Sequence, residues 1–256
     1  MKIFKFIILV TLSCAINCAT VAQTVQNPND TTTITCTDDG TRFQAKQLIA
    51  PAALVTAGTV LAIDYKHGLN KTVDDWVDDD NDKIKLDEVL RFVPSAAYLA
   101  LGATHIKAKH PFKERLAVFA TSHMAMVALG YGLKGVVKEH RPDGSDNHAF
   151  PSGHTATAFT GAELLREEYG TAMGIAGYTV ATAEAFLRIY NHKHWLGDVV
   201  MGAGIGVLSA RIGYWLLPCE RRLFGWDNKK SPAMVSAIPV YDASTRSMGM
   251  ALVAQF

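Results

Sequence analysis

Residues 148–159 read HAFPSGHTATAF. Pro151 breaks whatever precedes it, because its ring fixes φ and biases the residue before it toward extended backbone. Ser152 is a helix-capping type, and the small and aromatic residues from Gly153 onward are spaced as a helix rather than a strand. The order Pro-Ser-Gly-His therefore sets a loop against a helix entrance. Three chemistries compete there: Ser152 as a nucleophile, His154 as a metal ligand, or free backbone N–H groups gripping an anion.

Working outward from that entrance, the chain from Gln47 to Leu217 alternates apolar, Ala- and Gly-rich segments with short charged joints. The segments are too long and too rich in small residues for strands. Helices are predicted near 47–64, 87–106, 114–138, 153–168, 171–189 and 198–217, giving an all-α, six-helix bundle in one domain. Residues 23–46 are polar, with Thr31–Cys36 (TTTITC) their one strand-like piece. The joint 70–88 carries Asp78, Asp80 and Asp82 at calcium-loop spacing, but Lys83 stands where such a loop needs Gly and Val89 where it needs Glu, so it reads as a solvated acidic loop. Residues 218–256 read as a basic linker (Arg221, Arg222, Lys229, Lys230) and a β-hairpin, Met234–Tyr241 with Met248–Phe256.

The 256 residues carry 25 Lys and Arg against 24 Asp and Glu, with no basic tract interleaved with aromatics. That balance gives no support for a nucleic-acid partner, and nothing implies a protein partner. At the N-terminus, Lys2 and Lys5 precede the apolar run Phe6–Ile16, and Thr20-Val21-Ala22 follows it. Residues 1–22 read as an export signal, the apolar run being short for a span. Two of the four cysteines fall inside it, leaving Cys36 and Cys219 in a chain bound for an oxidising compartment. They form a disulfide or stand as two small hydrophobes, a choice that spacing alone leaves open.

Lys134 and Arg141 lie seven residues apart, two helical turns, so both point one way until Pro142 ends the helix. The Ser152–His154 entrance offers N–H groups and a positive dipole end, Gly153 lets an anion approach the backbone, and Arg188 adds a third cation. Fixed cations with an N–H cradle suit a phosphate-sized oxyanion. His194 and Asp198 are four apart, so the carboxylate can hold one imidazole nitrogen and leave the other to attack. His154, at the mouth of the cradle, is the candidate general acid. The pair His192 and His194 invites a metal, but apart from Asp198 no carboxylate or thiol lies in these clusters and the cations would repel one. No metal and no cofactor is expected.

Taken in order over 134–198, Lys134 with Arg141-Pro142, the run Pro151-Ser152-Gly153-His154, and Arg188 with His194 and Asp198 closely resemble three family motifs. They are the KxxxxxxRP, PSGH and SRxxxxxHxxxD motifs of the type 2 phosphatidic acid phosphatase superfamily, and the flanking helices extend the resemblance to most of 47–217. The resemblance implies a helical bundle and a metal-independent phosphatase working through a phosphohistidine. Lys134, Arg141 and Arg188 would then hold the phosphoryl oxygens and Ser152 and Gly153 would donate to them. His154 would protonate the leaving oxygen, His194 would attack, and Asp198 would orient it. Leu187 departs from the family's Ser, which removes one hydrogen bond from the expected set. Vanadium haloperoxidases share the superfamily, but the eight residues Asp143–Phe150 leave little room for a halide pocket. Intact His154, His194 and Asp198 speak against a binding protein without turnover.

The short loop and the apolar flanks Phe150, Phe159, Trp195 and Leu196 favour a phosphorylated lipid substrate presented from a membrane. Phosphatidate, phosphatidylglycerophosphate, an isoprenoid diphosphate and a lipid A phosphate all fit. A soluble periplasmic acid phosphatase of broad specificity is the alternative. The expected place is the bacterial cell envelope, inner membrane or periplasm. The joint 107–115 (KAKHPFKER) belongs on the cytoplasmic side and the acidic joint and the site outside. With three helices before Lys134, that arrangement requires an uncleaved first segment or a bundle that does not fully span.

Overall fold

The computed structural model describes residues 40–63, 65, 67–77, 84–226, 234–242 and 247–255. The export signal 1–22, the TTTITC segment, Cys36 and the aspartates at 78, 80 and 82 lie outside them. The chain divides into two compact units, Met1–Pro218 and Cys219–Phe256.

In the first unit a 3-10 turn, Ala45–Leu48, leads into α1, Ile49–Ile63, followed by α2, Gly68–Trp76, α3, Asp87–Leu90, and α4, Val93–Ala100. Then come α5, Phe112–Val136, α6, Gly153–Tyr169, and α7, Thr171–Tyr190. The last helix, α8, Leu196–Leu223, carries the chain into the second unit. Three departures from the sequence reading have local causes. The helix expected over 87–106 divides into α3, α4 and a 3-10 turn at Leu101–Ala103, because Pro94 sits in the first turn of α4 and has no N–H to continue an earlier helix. Part of the acidic joint is helix α2 rather than loop, and its Asn70 is buried. There Asn70 donates to the Leu61 carbonyl (2.8 Å) and accepts from the Gly197 N–H (2.9 Å), tying α1 to α8. The third departure is α8, which runs through Pro218 to Leu223, beyond the boundary expected at 217 and into the stretch read as linker.

Helix α8 is largely apolar between Val199 and Leu217 and is buried over most of that length, so it must be enclosed on several faces. Glycines make the enclosure close. A side-chain carbon at Gly204 would stand 2.9 Å from Val55 of α1, one at Gly202 2.5 Å from the Ser152 carbonyl at the entrance of α6, and one at Gly213 2.0 Å from Ser122 of α5. Backbones thus touch where side chains would otherwise separate them. Above this contact, Tyr98, Val118, Leu164, Leu165, Ala210, Tyr214 and Leu217 form a buried cluster, each large member contributing about 1.5–3 kcal/mol by burial.

Among the described residues, three segments are long and apolar enough to cross a membrane: Ala45–Ile63, Phe112–Val136 and Leu196–Leu223. The first two turn large apolar side chains outward, among them Ile49, Val60, Ile63, Met124, Val127 and Tyr131. In the second unit β1, Met234–Asp242, pairs antiparallel with β2, Ser247–Gln255, in the register Met234 with Gln255 and Asp242 with Ser247. Cys219 is exposed on α8, and its candidate partner Cys36 is outside the described residues.

Candidate active site

The site gathers where α5 ends, α6 begins, α7 ends and α8 begins. Lys134 is in the last turn of α5, and its ammonium donates to the His148 carbonyl at 2.7 Å. The chain then runs extended, with Lys138 and His140 exposed and Glu139 between them buried. Arg141 follows, held by Asp146 at 2.9 Å. Beside Lys134 and Arg141 opens a cleft of about 450 Å³ lined also by Tyr131, Gly135 and His148.

Ser152 takes the N-cap position of α6 but its hydroxyl does not cap; it meets the Thr155 hydroxyl at 3.0 Å. Its backbone N–H donates to the Asp198 carbonyl at 3.0 Å, fastening the α6 entrance to α8. A side-chain carbon added at Gly153 would meet no protein atom within 4 Å, so the helix entrance faces open space there. His154 sits in the first turn, its Nε2 2.9 Å from Arg91 and 3.2 Å from the Glu88 carboxylate. Burial, then Arg188 and Arg91, push its pKa down to about 4 against the pull of Glu88. The ring is therefore neutral at neutral pH without a bound anion.

Arg188 closes α7, and its guanidinium meets the buried Asp87 carboxylate of α3 at 2.5 Å. The turn 191–195 is pinned on three sides. Asn191 exchanges hydrogen bonds with the Ile84 backbone, His192 pairs with Asp74 at 2.9 Å in a left-handed conformation (φ 54°), and Lys193 pairs with Asp143 at 2.6 Å. These anchors aim His194, 3% exposed, at Asp198, with Nδ1 3.3 Å from Oδ2. The same Oδ2 accepts the Trp195 N–H at 2.9 Å. Burial holds the His194 imidazole below its ordinary pKa, Asp198 opposes that, and Arg188 and Arg141 add to it. His194 is thus an unprotonated ring with one nitrogen steered by a carboxylate.

The eight residues singled out in the sequence converge. Arg188 acts on both histidines, Arg141 on His194, and Lys134 lies within electrostatic reach of Arg141, Arg188 and Asp198. His192 and His194, by contrast, face different partners, Asp74 and Asp198. Among the described residues no group of three or more His, Cys, Asp and Glu side chains is placed to hold a metal ion. The sequence reading overlooked Asp87 and Glu88 of α3 and Arg91 just after it, which supply partners to Arg188 and His154 across 101, 66 and 63 residues. Their only local signal was the 87–91 spacing on a helix face. Asp74 and Asp87 also correct the solvated-loop reading of 70–88, since both are largely withdrawn from water and paired.

Residues 115–222 match the model of the PAP2 superfamily. Lipid A 1-phosphatase of Porphyromonas gingivalis is 37% identical over 139 residues, which are 52% of this chain and 31% of that protein. The chain thus spans about a third of the length of the curated relative it matches. Among solved structures, the transmembrane PAP2-type phosphatidylglycerolphosphate phosphatase from Bacillus subtilis aligns with a TM-score of 0.47 and 18% identity, covering 71% of this chain and 98% of that one.

Proposed function

We propose that the chain, whose residues 115–222 match the PAP2 superfamily model, is a member of that superfamily and a metal-independent phosphatase acting on a phosphorylated lipid through a phosphohistidine. The observation that carries the reading is the neutral, buried His194 steered by Asp198 and ringed by Lys134, Arg141 and Arg188. Such a ring of cations neutralises a phosphoryl dianion, while the Gly153 N–H at the open helix entrance and the Ser152 hydroxyl donate to its oxygens. His194 Nε2 attacks phosphorus as the ester P–O bond breaks, and His154 gives the leaving oxygen its proton. Water, deprotonated by His154, then cleaves the P–N bond and releases inorganic phosphate. The dianion itself raises the His154 pKa toward working pH by opposing the Arg91 and Arg188 fields, so the acid is charged when substrate is present.

The lipid reading rests on the outward apolar faces of α1 and α5, which suit contact with acyl chains. A membrane of the cell envelope is the proposed location. Of the four lipids, a lipid A phosphate leads, because the P. gingivalis relative bears the name of a lipid A 1-phosphatase. The six-helix count gives way in this reading to a bundle centred on α8, and the C-terminal hairpin and the Cys36–Cys219 bond belong to it as further proposals. The test uses full-length protein in mixed micelles with EDTA. Phosphate release from the lipids above glycerophosphate and nucleotides, with inhibition by vanadate, is the expected result. Activity that EDTA abolishes and magnesium or zinc restores refutes the mechanism, and equal kcat/KM for soluble esters refutes the lipid reading in favour of a general acid phosphatase.

A further inference from the structure

Glu139 lies in the stretch between Lys134 and Arg141, flanked by Lys138 and His140, where it reads as one member of a solvated charged run. The structure places it inside. Its backbone bridges to His148 and accepts the Ala149 N–H at 3.0 Å, fixing an extended strand whose alternation turns residue 139 inward, 2% exposed. There its carboxyl lies in hydrogen-bonding reach of the Asp198 carboxyl. Glu139 Oε1 and Asp198 Oδ1 are both buried and meet no protein donor, whereas Asp198 Oδ2 already serves His194 and Trp195.

Two buried carboxylates in contact cannot both be ionised. The shared proton sits on Glu139, because Asp198 Oδ2 already accepts the Trp195 N–H and faces His194 Nδ1. We propose that Glu139 is a positioning residue, a neutral acid that donates its proton to Asp198 Oδ1 and so completes a Glu139–Asp198–His194 chain. The hydrogen bond leaves Oδ2 to His194 and holds the carboxylate against rotation during attack. Burial first, and then the Asp198 charge and contact, push the Glu139 acid up to about 9, in line with that assignment. Around the pair stand His194 from the 191–195 turn, Arg188 from α7, Lys134 from α5, and Arg141 and His148 from the loop before α6. The cations among them act on Asp198 and His194, while the charge acting on Glu139 is that of Asp198. Loss of the Glu139 proton therefore sets two negative charges in contact and turns Asp198 away from His194.

This inference rests on the phosphatase reading for its effect on rate but not for its protonation. Glu139→Gln keeps a donor, Glu139→Leu removes it. In the full chain with a phosphomonoester, the wild type is expected to lose kcat with an alkaline midpoint near pH 9. Glu139→Gln should stay within about threefold at pH 7 and lose that limb, and Glu139→Leu should fall roughly tenfold in kcat with KM held, the loss of one hydrogen bond to a charged group. Difference infrared spectroscopy at pH 7 should show a protonated-carboxyl band in the wild type that Glu139→Gln removes. The band with no phosphatase activity upholds the pair and refutes the function. Phosphatase activity with no such band, or an alkaline limb that Glu139→Gln leaves in place, overturns the pair.

Discussion

Gly202→Ala tests whether backbone contact between α8 and α6 sets the geometry of the cradle. The added carbon would stand 2.5 Å from the Ser152 carbonyl oxygen and 3.3 Å from Thr155 Cβ. Ordinary contact begins near 3.4 Å, so the α6 entrance must retreat by about 0.9 Å. The carbonyl cannot swing aside, because it accepts the Ala156 N–H at 3.1 Å in the first turn of α6, and the Ser152 N–H is bound to Asp198. Overpacking of this kind costs about 1–3 kcal/mol, partly offset by the ~1 kcal/mol that Ala gains over Gly in a helix. A shift near 1 Å in a positioned group, by contrast, costs roughly 100-fold in rate. The variant should therefore fold with a modest loss of stability yet lose about two orders of magnitude in kcat/KM and bind vanadate more weakly. Thermal unfolding and steady-state kinetics in micelles measure both, with Gly130→Ala as control, since a carbon there meets nothing within 4 Å. A Gly202→Ala enzyme within threefold of that control in kcat/KM and vanadate affinity would refute the reasoning.

Two further outcomes are expected. His154, neutral above about pH 4 in the free enzyme, should gain a proton when an anion fills the cradle; calorimetry of phosphate binding at pH 6 in buffers of differing ionisation enthalpy should show uptake that His154→Asn reduces, and equal uptake in both would sink the acid assignment. Asp87→Ala leaves the buried Arg188 guanidinium unpaired and should destabilise the fold by roughly 3–5 kcal/mol, with added phosphate restoring part of the loss by neutralising the same cation; unfolding curves with and without phosphate decide it.

The candidate site residues were legible because local rules bind them: Lys134 and Arg141 by helical period, Ser152–His154 by a helix entrance, His194 and Asp198 by an i,i+4 step. What supports them was not. Asp87 meets Arg188 across 101 positions, and nothing in the 87–91 segment distinguishes a buried acid from an exposed one. Glu139 hid for the opposite reason: its neighbours Lys138 and His140 are exposed, and only a strand conformation, imposed by pairing with His148 and Ala149, turns it inward. The division of the 87–106 helix was legible in Pro94, whose missing N–H outweighs the apolar period on either side. At the other end, Pro218 had the same local signature and the opposite outcome, since a 28-residue helix tolerates one lost bond.

The glycine contact between α8 and the α6 entrance also bears on how the molecule comes apart. Ser152 donates to the Asp198 carbonyl, and Gly202 and Gly206 lay the two backbones against each other with no side chain to slide between. Neither helix can open alone without breaking that seam. The two should exchange their amide hydrogens as a single cooperative unit, at the slow end of the molecule's range, while α2 and the 84–92 segment exchange sooner. Transient openings that admit solvent to the bundle would then spare Asp198 and the α6 entrance until the fold itself is lost.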